Sequence, residues 1–189
     1  WGQSAHFDTK KKIINVKKFI QSLNFFLNQK LVSITEIKKR NLNFHARYSA
    51  KERIYEYIIL NRIAPPSLDK NKVWHIRKKL DLEIMKKGAK KLLGTHDFST
   101  FRASNCYSEN PIRTMKKINI KRINKKVVMQ FKSRSFLRNQ VRSMVGCLKY
   151  LGEKKWSLKK FTEVFKSKKR TLCAPPAPSH GLFLEKVIY

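Results

Sequence analysis

The segment from Asn43 to Leu60 constrains the fold more than any other part of this sequence. Its second half, Arg53–Leu60, alternates between two sets of side chains and ends on the unbroken apolar run Ile58–Leu60. This pattern is typical of a central strand of a sheet. We therefore predict that the chain is organised around such a strand, with Tyr55 near its entrance. One side of the strand carries Arg53, Tyr55 and Tyr57, and the other carries Ile54, Glu56 and Ile58.

The first half of this segment interleaves aromatic rings with basic or titratable groups. Phe44 and Tyr48 supply the rings, and His45, Arg47 and Lys51 supply the other groups. Rings can stack on bases while cations neutralise phosphates, so this composition suits RNA. A tyrosine in a strand is most often a half-buried sheet residue, and the pattern alone therefore leaves the role of Tyr55 open between structure and function.

The charge of the chain indicates a polyanionic partner. The 189 residues carry a formal net charge of +32, from 44 Lys and Arg against 12 Asp and Glu. A compositional drift towards Lys, Ile and Asn would also raise the charge, so it supports a nucleic acid partner without proving one. A membrane surface is disfavoured, because the lysines are spread along the chain rather than gathered on one amphipathic helix, and no apolar run approaches transmembrane length.

The three cysteines, Cys106, Cys147 and Cys173, are widely spaced and form no CxxC or CxxH motif. We predict that they stay reduced in the cytoplasm, with neither a zinc site nor a disulfide framework. Generic catalytic motifs such as HExxH, GxSxG and a Gly-rich phosphate loop do not occur. His96 beside Asp97 is compatible with acid–base chemistry, but an Asp followed by Phe-Ser-Thr-Phe is more often the cap of a turn.

Periodicity predicts one α+β domain, with helices packed on a mixed, mainly antiparallel sheet. Asn15 and Asp81 are predicted helix caps, and Gly94 is predicted to end the second helix. The apolar face of the first helix is predicted to be core, and comprises Val16, Phe19, Ile20, Leu23, Phe26 and Leu27. The predicted strands are residues 3–8, 32–40, 53–60, 113–123, 126–133 and 182–189, and the predicted helices begin near residues 16, 82, 136 and 157.

The third predicted helix, Phe136–Leu151, carries a second stripe beside its apolar face. Asn139, Arg142, Ser143 and Gly146 form this stripe, in which Arg142 is the single cation. Small neighbours let a backbone or a ligand approach Arg142 closely. A solvated surface arginine is the alternative, but the stripe adjoins the core face, so a paired and partly buried Arg142 is expected at least as often.

These residues together resemble the bacterial tRNA pseudouridine synthase A family. The motifs that carry the resemblance occur in the same order along essentially all of the chain. They are residues 1–9, Phe44–Tyr48, Arg53–Ile59, Gly94–Phe98 with Phe101 and Arg102, Phe136–Gly146, Arg170–Leu172 and Gly181–Leu184. The first five of these motifs are each moderately specific, and five in register make a strong resemblance; the last two also fit.

The resemblance implies an isomerase that converts uridine to pseudouridine in tRNA and needs no cofactor or metal. Its expected targets are positions 38, 39 and 40, on the 3′ side of the anticodon stem-loop. Tyr55 would pack on the flipped base, and Arg142 would pair with the catalytic carboxylate and keep it ionised. Expected partners are tRNA and a second copy of the chain in a homodimer. The expected RNA contacts are Phe44, His45, Ala46, Arg47 and Tyr48, with Asn105, Cys106, Tyr107, Ser108 and Glu109.

One departure from the family pattern concerns the nucleophile. The catalytic Asp of the family lies in an Arg-Thr-Asp-Ala-Gly motif that precedes the position of Trp1, and none of the 12 acidic residues replaces it. We therefore expect residues 1–189 to be a single catalytic domain without its N-terminal portion, and to be inactive alone. Turnover of a uridine-containing anticodon stem-loop by the 189-residue chain would refute this expectation.

A non-catalytic RNA-binding module of α+β fold is the alternative reading. It would explain the charge, the aromatic residues and the missing nucleophile. It would not explain why Arg142 lies in a stripe of small residues, or why Tyr55 should lie near it. A DNA-binding protein is a weaker alternative, since the sequence has no recognition-helix motif.

Overall fold

A computed structural model describes residues 2–189, which fall into two compact units. The larger unit comprises residues 50–189 with Gly2 and Gln3, and the smaller unit is Ser4–Ser49. The single catalytic domain expected over residues 1–189 remains a prediction.

The larger unit is built on a six-stranded mixed sheet. The strand order is β2-β1-β5-β4-β3, and β6 also pairs with β1. β1 and β2 are parallel, and the other neighbours are antiparallel. The α+β class with a mixed, mainly antiparallel sheet is thus confirmed. The strands are β1 (Glu52–Asn61), β2 (Trp74–Ile76), β3 (Gly94–Asp97), β4 (Ile112–Ile123), β5 (Lys126–Ser133) and β6 (Leu182–Ile188).

Strand β1 is the centre of this sheet, as the sequence predicts. Along one edge it pairs with β5 from Arg53 to Leu60. Along its other edge it pairs first with β6 and then with β2. Tyr57 and Ile59 point into the core and are fully buried. The hydrogen bonds on both edges therefore fix the backbone that carries Tyr55.

Three α-helices of the larger unit contribute to its core. They are α2 (Leu82–Lys90), α3 (Gln140–Gly152) and α4 (Leu158–Lys166). The predicted cap Asp81 is confirmed, because its carboxylate accepts from the Glu83 and Ile84 N–H groups. The Ser157 hydroxyl, which was not predicted as a cap, accepts from Lys160 N–H at the start of α4. The core joins the sheet and the helices through fully buried side chains that include Tyr57, Met85, Met129, Phe131, Met144, Leu148 and Phe161.

The smaller unit contains helix α1 (Val16–Leu27), capped by the Asn15 side chain as predicted. The prediction that its apolar face is core is wrong, because no residue of α1 is buried. Phe26 of that face is 74% exposed. The physical reason is local: residues 4–49 contain no strand and no second α-helix against which this face could pack.

The strands predicted at residues 3–8 and 32–40 are absent from the described chain. The backbone N–H and C=O of Ile34 instead bond to the side-chain amide of Asn24, at 2.7 and 2.9 Å. Gly2 N–H donates to Leu184 O of β6 at 3.2 Å. This single hydrogen bond does not make residues 3–8 a strand. Alternating apolar residues do not make a strand where no neighbouring strand supplies partners.

Two short strands, β2 and β3, were not predicted, and two boundaries differ. Gly94 does not end α2, which stops at Lys90; with φ of +96° it begins β3. Helix α3 starts at Gln140 rather than Phe136, because Asn139 takes a left-handed conformation with φ of 62°. The side-chain oxygen of Gln140 instead accepts from Leu137 N–H at 2.8 Å.

Gly146 lets α3 approach the chain segment of residues 173–178, which we call the proline segment. A Cβ added at Gly146 would lie 2.1 Å from the backbone oxygen of Pro175. The neighbouring contact is Ala177 N–H donating to Arg142 O at 3.0 Å. The small residue is therefore required by the close approach of two backbones.

We predict that Gly146→Ala lowers the free energy of unfolding by about 1–3 kcal/mol, as overpacking commonly does, measured by urea denaturation. Gly152→Ala is the matched control, because its Cβ would meet the flexible side chain of Met85 at 2.6 Å rather than backbone. Its loss should be clearly smaller. Equal losses in the two variants would contradict the backbone explanation.

Candidate active site

Tyr55 lies in β1 at an irregularity of the sheet. The register between β1 and β6 shifts between Ile54 and Tyr55, so that Tyr55 pairs with Leu184. Such bulges re-aim side chains and are frequent next to active sites. The Tyr55 ring is half-buried and meets the Phe136 ring edge-on, with centroids 5.2 Å apart. Burial raises the pKa of its hydroxyl, and the charge of Arg53 partly opposes this.

Arg142 lies in the first turn of α3 and is half-buried. Its Nε donates to Ala177 O at 2.6 Å, and its Nη1 donates to Asn139 Oδ1 at 3.3 Å. Both acceptors are uncharged, so the guanidinium is fixed in place without being neutralised by them. The stripe predicted around Arg142 does admit a close backbone, namely the proline segment, and the solvated-surface alternative does not hold.

Tyr57 connects the surroundings of Tyr55 and Arg142. It follows Tyr55 by two residues on the same side of β1, and its hydroxyl donates to Pro178 O at 2.7 Å. Pro178 follows Ala177, whose carbonyl holds Arg142. Burial raises the pKa of Tyr57 well above its usual range, against the opposing charge of Arg142. Tyr57 and the proline segment were not predicted as parts of the site, although the i, i+2 spacing of the tyrosines is a usable signal.

His96 and Asp97 do not form an acid–base pair. Asp97 Oδ1 accepts from the Ser99 N–H at 2.9 Å and from the Ser99 hydroxyl at 2.6 Å. His96 Nε2 bonds to Leu93 O at 2.7 Å. Burial opposes ionisation of Asp97, but the bonds from Ser99 and Lys168 outweigh it and lower the pKa of the carboxyl. Asp97 is a turn cap, as the sequence favours.

The predicted RNA contact Phe44–Tyr48 forms a cluster of rings and cations within the smaller unit. The rings of His45 and Tyr48 lie 4.4 Å apart, and Arg47 sits over the Tyr48 ring at 5.6 Å. Arg40 covers Phe44 at 5.4 Å. Tyr48 is 72% exposed, so a large part of its ring surface faces solvent.

The predicted RNA contact Asn105–Glu109 lies in the larger unit, on a loop fastened by arginines. Arg102 Nη2 donates to Cys106 O at 3.0 Å, and Arg138 Nη1 to Asn105 O at 3.3 Å. Arg113 Nη2 donates to Ser108 Oγ at 2.7 Å. Tyr107 is 95% exposed at the tip of the loop. Arg102 and Arg138 lie in motifs of the predicted family, but the sequence did not predict that arginines fasten this loop. Their acceptors are neutral oxygens.

The surroundings of Cys106 make its thiol more acidic. Burial opposes this, but hydrogen bonds from the backbone of Arg138 and Ser108 and the nearby Arg102 outweigh it and lower the pKa. Within residues 2–189, no group of three His, Cys, Asp or Glu side chains is placed to hold a metal ion. Over the same residues, no helix has both the length and the apolar character needed to cross a membrane.

Comparison with known proteins defines the class to which this fold and site belong. A family model described as tRNA pseudouridine synthase matches residues 89–189. The chain belongs to the tRNA pseudouridine synthase family, whose members are isomerases.

Its relatives name the branch of that family. The chain is 66% identical to the tRNA pseudouridine synthase A of Pelagibacter ubique (strain HTCC1062) over 187 residues, which are 99% of this chain and 76% of the relative. It is 40% identical to the protein of the same name from Caulobacter vibrioides over 188 residues, 100% of this chain and 76% of the relative. A Maricaulis maris protein of the same name is 40% identical over 187 residues, which are 99% of this chain and 75% of that protein.

We predict that Tyr57→Phe lowers the free energy of unfolding by about 1 kcal/mol, because a buried hydrogen bond to Pro178 is lost. Urea denaturation measures the change. Tyr107→Phe removes a hydroxyl from an exposed ring and should leave the stability unchanged. A Tyr57→Phe variant as stable as the unmodified chain would show that this bond does not hold the proline segment.

Proposed function

We propose that this chain is the catalytic portion of a tRNA pseudouridine synthase that acts on uridines on the 3′ side of the anticodon stem-loop, with Tyr55 and Arg142 in its active site. The observation that carries the proposal is the connection of Tyr55, through Tyr57 and the proline segment, to the charge of Arg142. A non-catalytic RNA-binding module has no need of such a connection, and the family match also favours the enzyme.

Tyr55 is suited to pack on a flipped base. Its ring is braced edge-on by Phe136 and is carried by a strand that is hydrogen-bonded along both edges. A rigid ring can stack on a base at little entropic cost. A tyrosine hydroxyl is protonated at neutral pH and burial raises its pKa further, so the ring presents no negative charge to a nucleic acid.

Arg142 is suited to hold a carboxylate. A guanidinium carries five N–H donors, and the described bonds use Nε and Nη1 toward neutral oxygens. A nearby cation of this kind lowers the pKa of a carboxylic acid by about 1–3 units. The role proposed for Arg142 is to keep the nucleophilic Asp ionised and in position.

The two predicted RNA contacts are suited to different parts of a nucleic acid. Phe44–Tyr48 offers the exposed ring of Tyr48, with Arg47 over it and Arg40 over the neighbouring Phe44, which suits stacking beside phosphates. The loop Asn105–Glu109 is held by arginines whose acceptors are neutral, so their charge stays available to phosphates. A homodimer, a cytoplasmic location and independence of any cofactor are further parts of the proposal that rest on the family resemblance alone.

The decisive experiment measures pseudouridine formation in tRNA by the chain extended upstream with the Arg-Thr-Asp-Ala-Gly segment of a relative. We expect Arg142→Ala to lower kcat by roughly a hundredfold or more. The acid limb of the pH profile should move to higher pH, because loss of the cation raises the pKa of the carboxylate. Tyr55→Ala should also lose activity. Tyr55→Phe keeps the ring and should retain most of the affinity for tRNA.

The control for Arg142→Ala is Arg77→Ala, which removes an exposed cation outside the proposed site. All variants should show unchanged circular dichroism. A folded Arg142→Ala variant with the activity of the unmodified enzyme would overturn the proposed role. RNA binding without activity in the extended chain would instead favour the non-catalytic module.

The RNA contacts are tested by binding an anticodon stem-loop to the 189-residue chain over a range of salt concentrations. We expect Tyr48→Ala to weaken binding by about 1–3 kcal/mol with the salt slope unchanged, because stacking is lost. Arg47→Ala should instead reduce the salt slope by about one, because a phosphate contact is lost.

Phe25→Ala is the matched control, since Phe25 is an aromatic residue of the same unit, 79% exposed and outside the proposed contact. It should bind as the unmodified chain does. Equal losses for Phe25→Ala and Tyr48→Ala would remove the Phe44–Tyr48 contact from the proposal.

A further inference from the structure

Two cysteines that are far apart in the sequence lie together in the larger unit. Cys147 Sγ of α3 and Cys173 Sγ of the proline segment are 3.4 Å apart, and both are free thiols. The S–S bond of a disulfide is about 2.0 Å long, so a small movement of the two side chains would close it. The wide spacing of the cysteines in the sequence gave no sign of this pair.

The two thiols differ in their surroundings. Cys147 is fully buried, whereas Cys173 is partly exposed. Cys173 accepts a hydrogen bond from Cys147 and lies beside Arg170, and together these lower its pKa despite burial. Arg170 is itself fixed by a bond of 3.2 Å from its Nη1 to Ser143 Oγ of α3. A partly exposed, acidified thiol next to a buried one is the usual arrangement of an attacking and a resolving cysteine.

The backbone around the pair is already held in place. Gly146, next to Cys147, packs against Pro175 O, and Ala177 bonds to Arg142 through both its N–H and its C=O. These contacts keep α3 and the proline segment together while the thiols are reduced. The fold therefore holds the two sulfurs close to each other before any bond forms between them.

We propose that Cys147 and Cys173 form a thiol oxidation site, which hydrogen peroxide converts to an intramolecular disulfide. The Cys173 thiolate attacks one oxygen of the peroxide, the O–O bond breaks, and water leaves after protonation, giving Cys173 sulfenic acid. The Cys147 sulfur then attacks the Cys173 sulfur; the S–S bond forms, the S–O bond breaks, and the released hydroxide takes the Cys147 proton. In total, two thiols and one peroxide give one disulfide and two waters.

The consequence is a covalent link between α3 and the proline segment, which closes a loop across 26 sequence positions. Cross-links of this kind stabilise the folded state relative to the unfolded chain. This inference does not depend on the roles proposed for Tyr55 and Arg142.

The experiment treats the folded 189-residue chain with hydrogen peroxide and then alkylates the remaining thiols. We expect a non-reduced digest to yield a Cys147–Cys173 linked peptide that is two hydrogen atoms lighter than its two reduced parts, and no linked peptide that contains Cys106. The oxidised chain should unfold at a higher temperature, and dithiothreitol should reverse both changes.

Cys106→Ser is the matched control and should form the same linked peptide. In Cys147→Ser the Cys173 sulfenic acid has no resolving thiol, so dimedone should label Cys173. Cys173→Ser should yield neither the linked peptide nor a dimedone label on Cys147. A chain that oxidises to sulfinic or sulfonic acids without the linked peptide would overturn the proposal. So would a disulfide that contains Cys106, or a linked peptide that forms equally well in urea, where folded geometry is absent.

Discussion

The structure depends on hydrogen bonding along both edges of β1. β5 occupies one edge, and β6 and β2 divide the other between them. Because every part of the strand has a neighbour, its backbone cannot shift without breaking a ladder. The side chains that alternate from it therefore have fixed directions, with Tyr57 and Ile59 in the core. The position of Tyr55 is a consequence of this constraint, modified by the register shift against β6.

The second constraint is the close packing of α3 on the proline segment. Gly146 permits the approach, and the carbonyls of Ala177 and Pro178 each accept a hydrogen bond, from Arg142 and Tyr57 respectively. One short segment thus connects a helix to the central strand. Prolines suit this role because their fixed φ lowers the entropy lost when the segment is ordered. A substitution that loosens the proline segment should displace the Arg142 side chain even where the substituted residue makes no contact with Arg142.

The sequence predicts the parts of the fold that depend on local pattern. β4 and β5 follow their predicted ranges closely, and the caps Asn15 and Asp81 are confirmed because a cap is decided within a few residues. The errors concern non-local partners. The 32–40 strand is absent because no neighbouring strand exists for it, and the face of α1 is not buried because its unit offers nothing to pack on. The Cys147–Cys173 pair is non-local as well.

The lysines and arginines of the larger unit contact different kinds of acceptor. Glu52 is held between Lys116 and Lys132, Asp97 caps the turn at Ser99, and Glu153 pairs with Lys149. Each of these carboxylates already performs a structural task with a lysine or a backbone N–H group. Arg142 bonds instead to neutral oxygens, as do the arginines around the loop Asn105–Glu109. Carbonyls therefore fix these guanidiniums in place without neutralising their charge, which is the property that the roles proposed toward phosphate and carboxylate require.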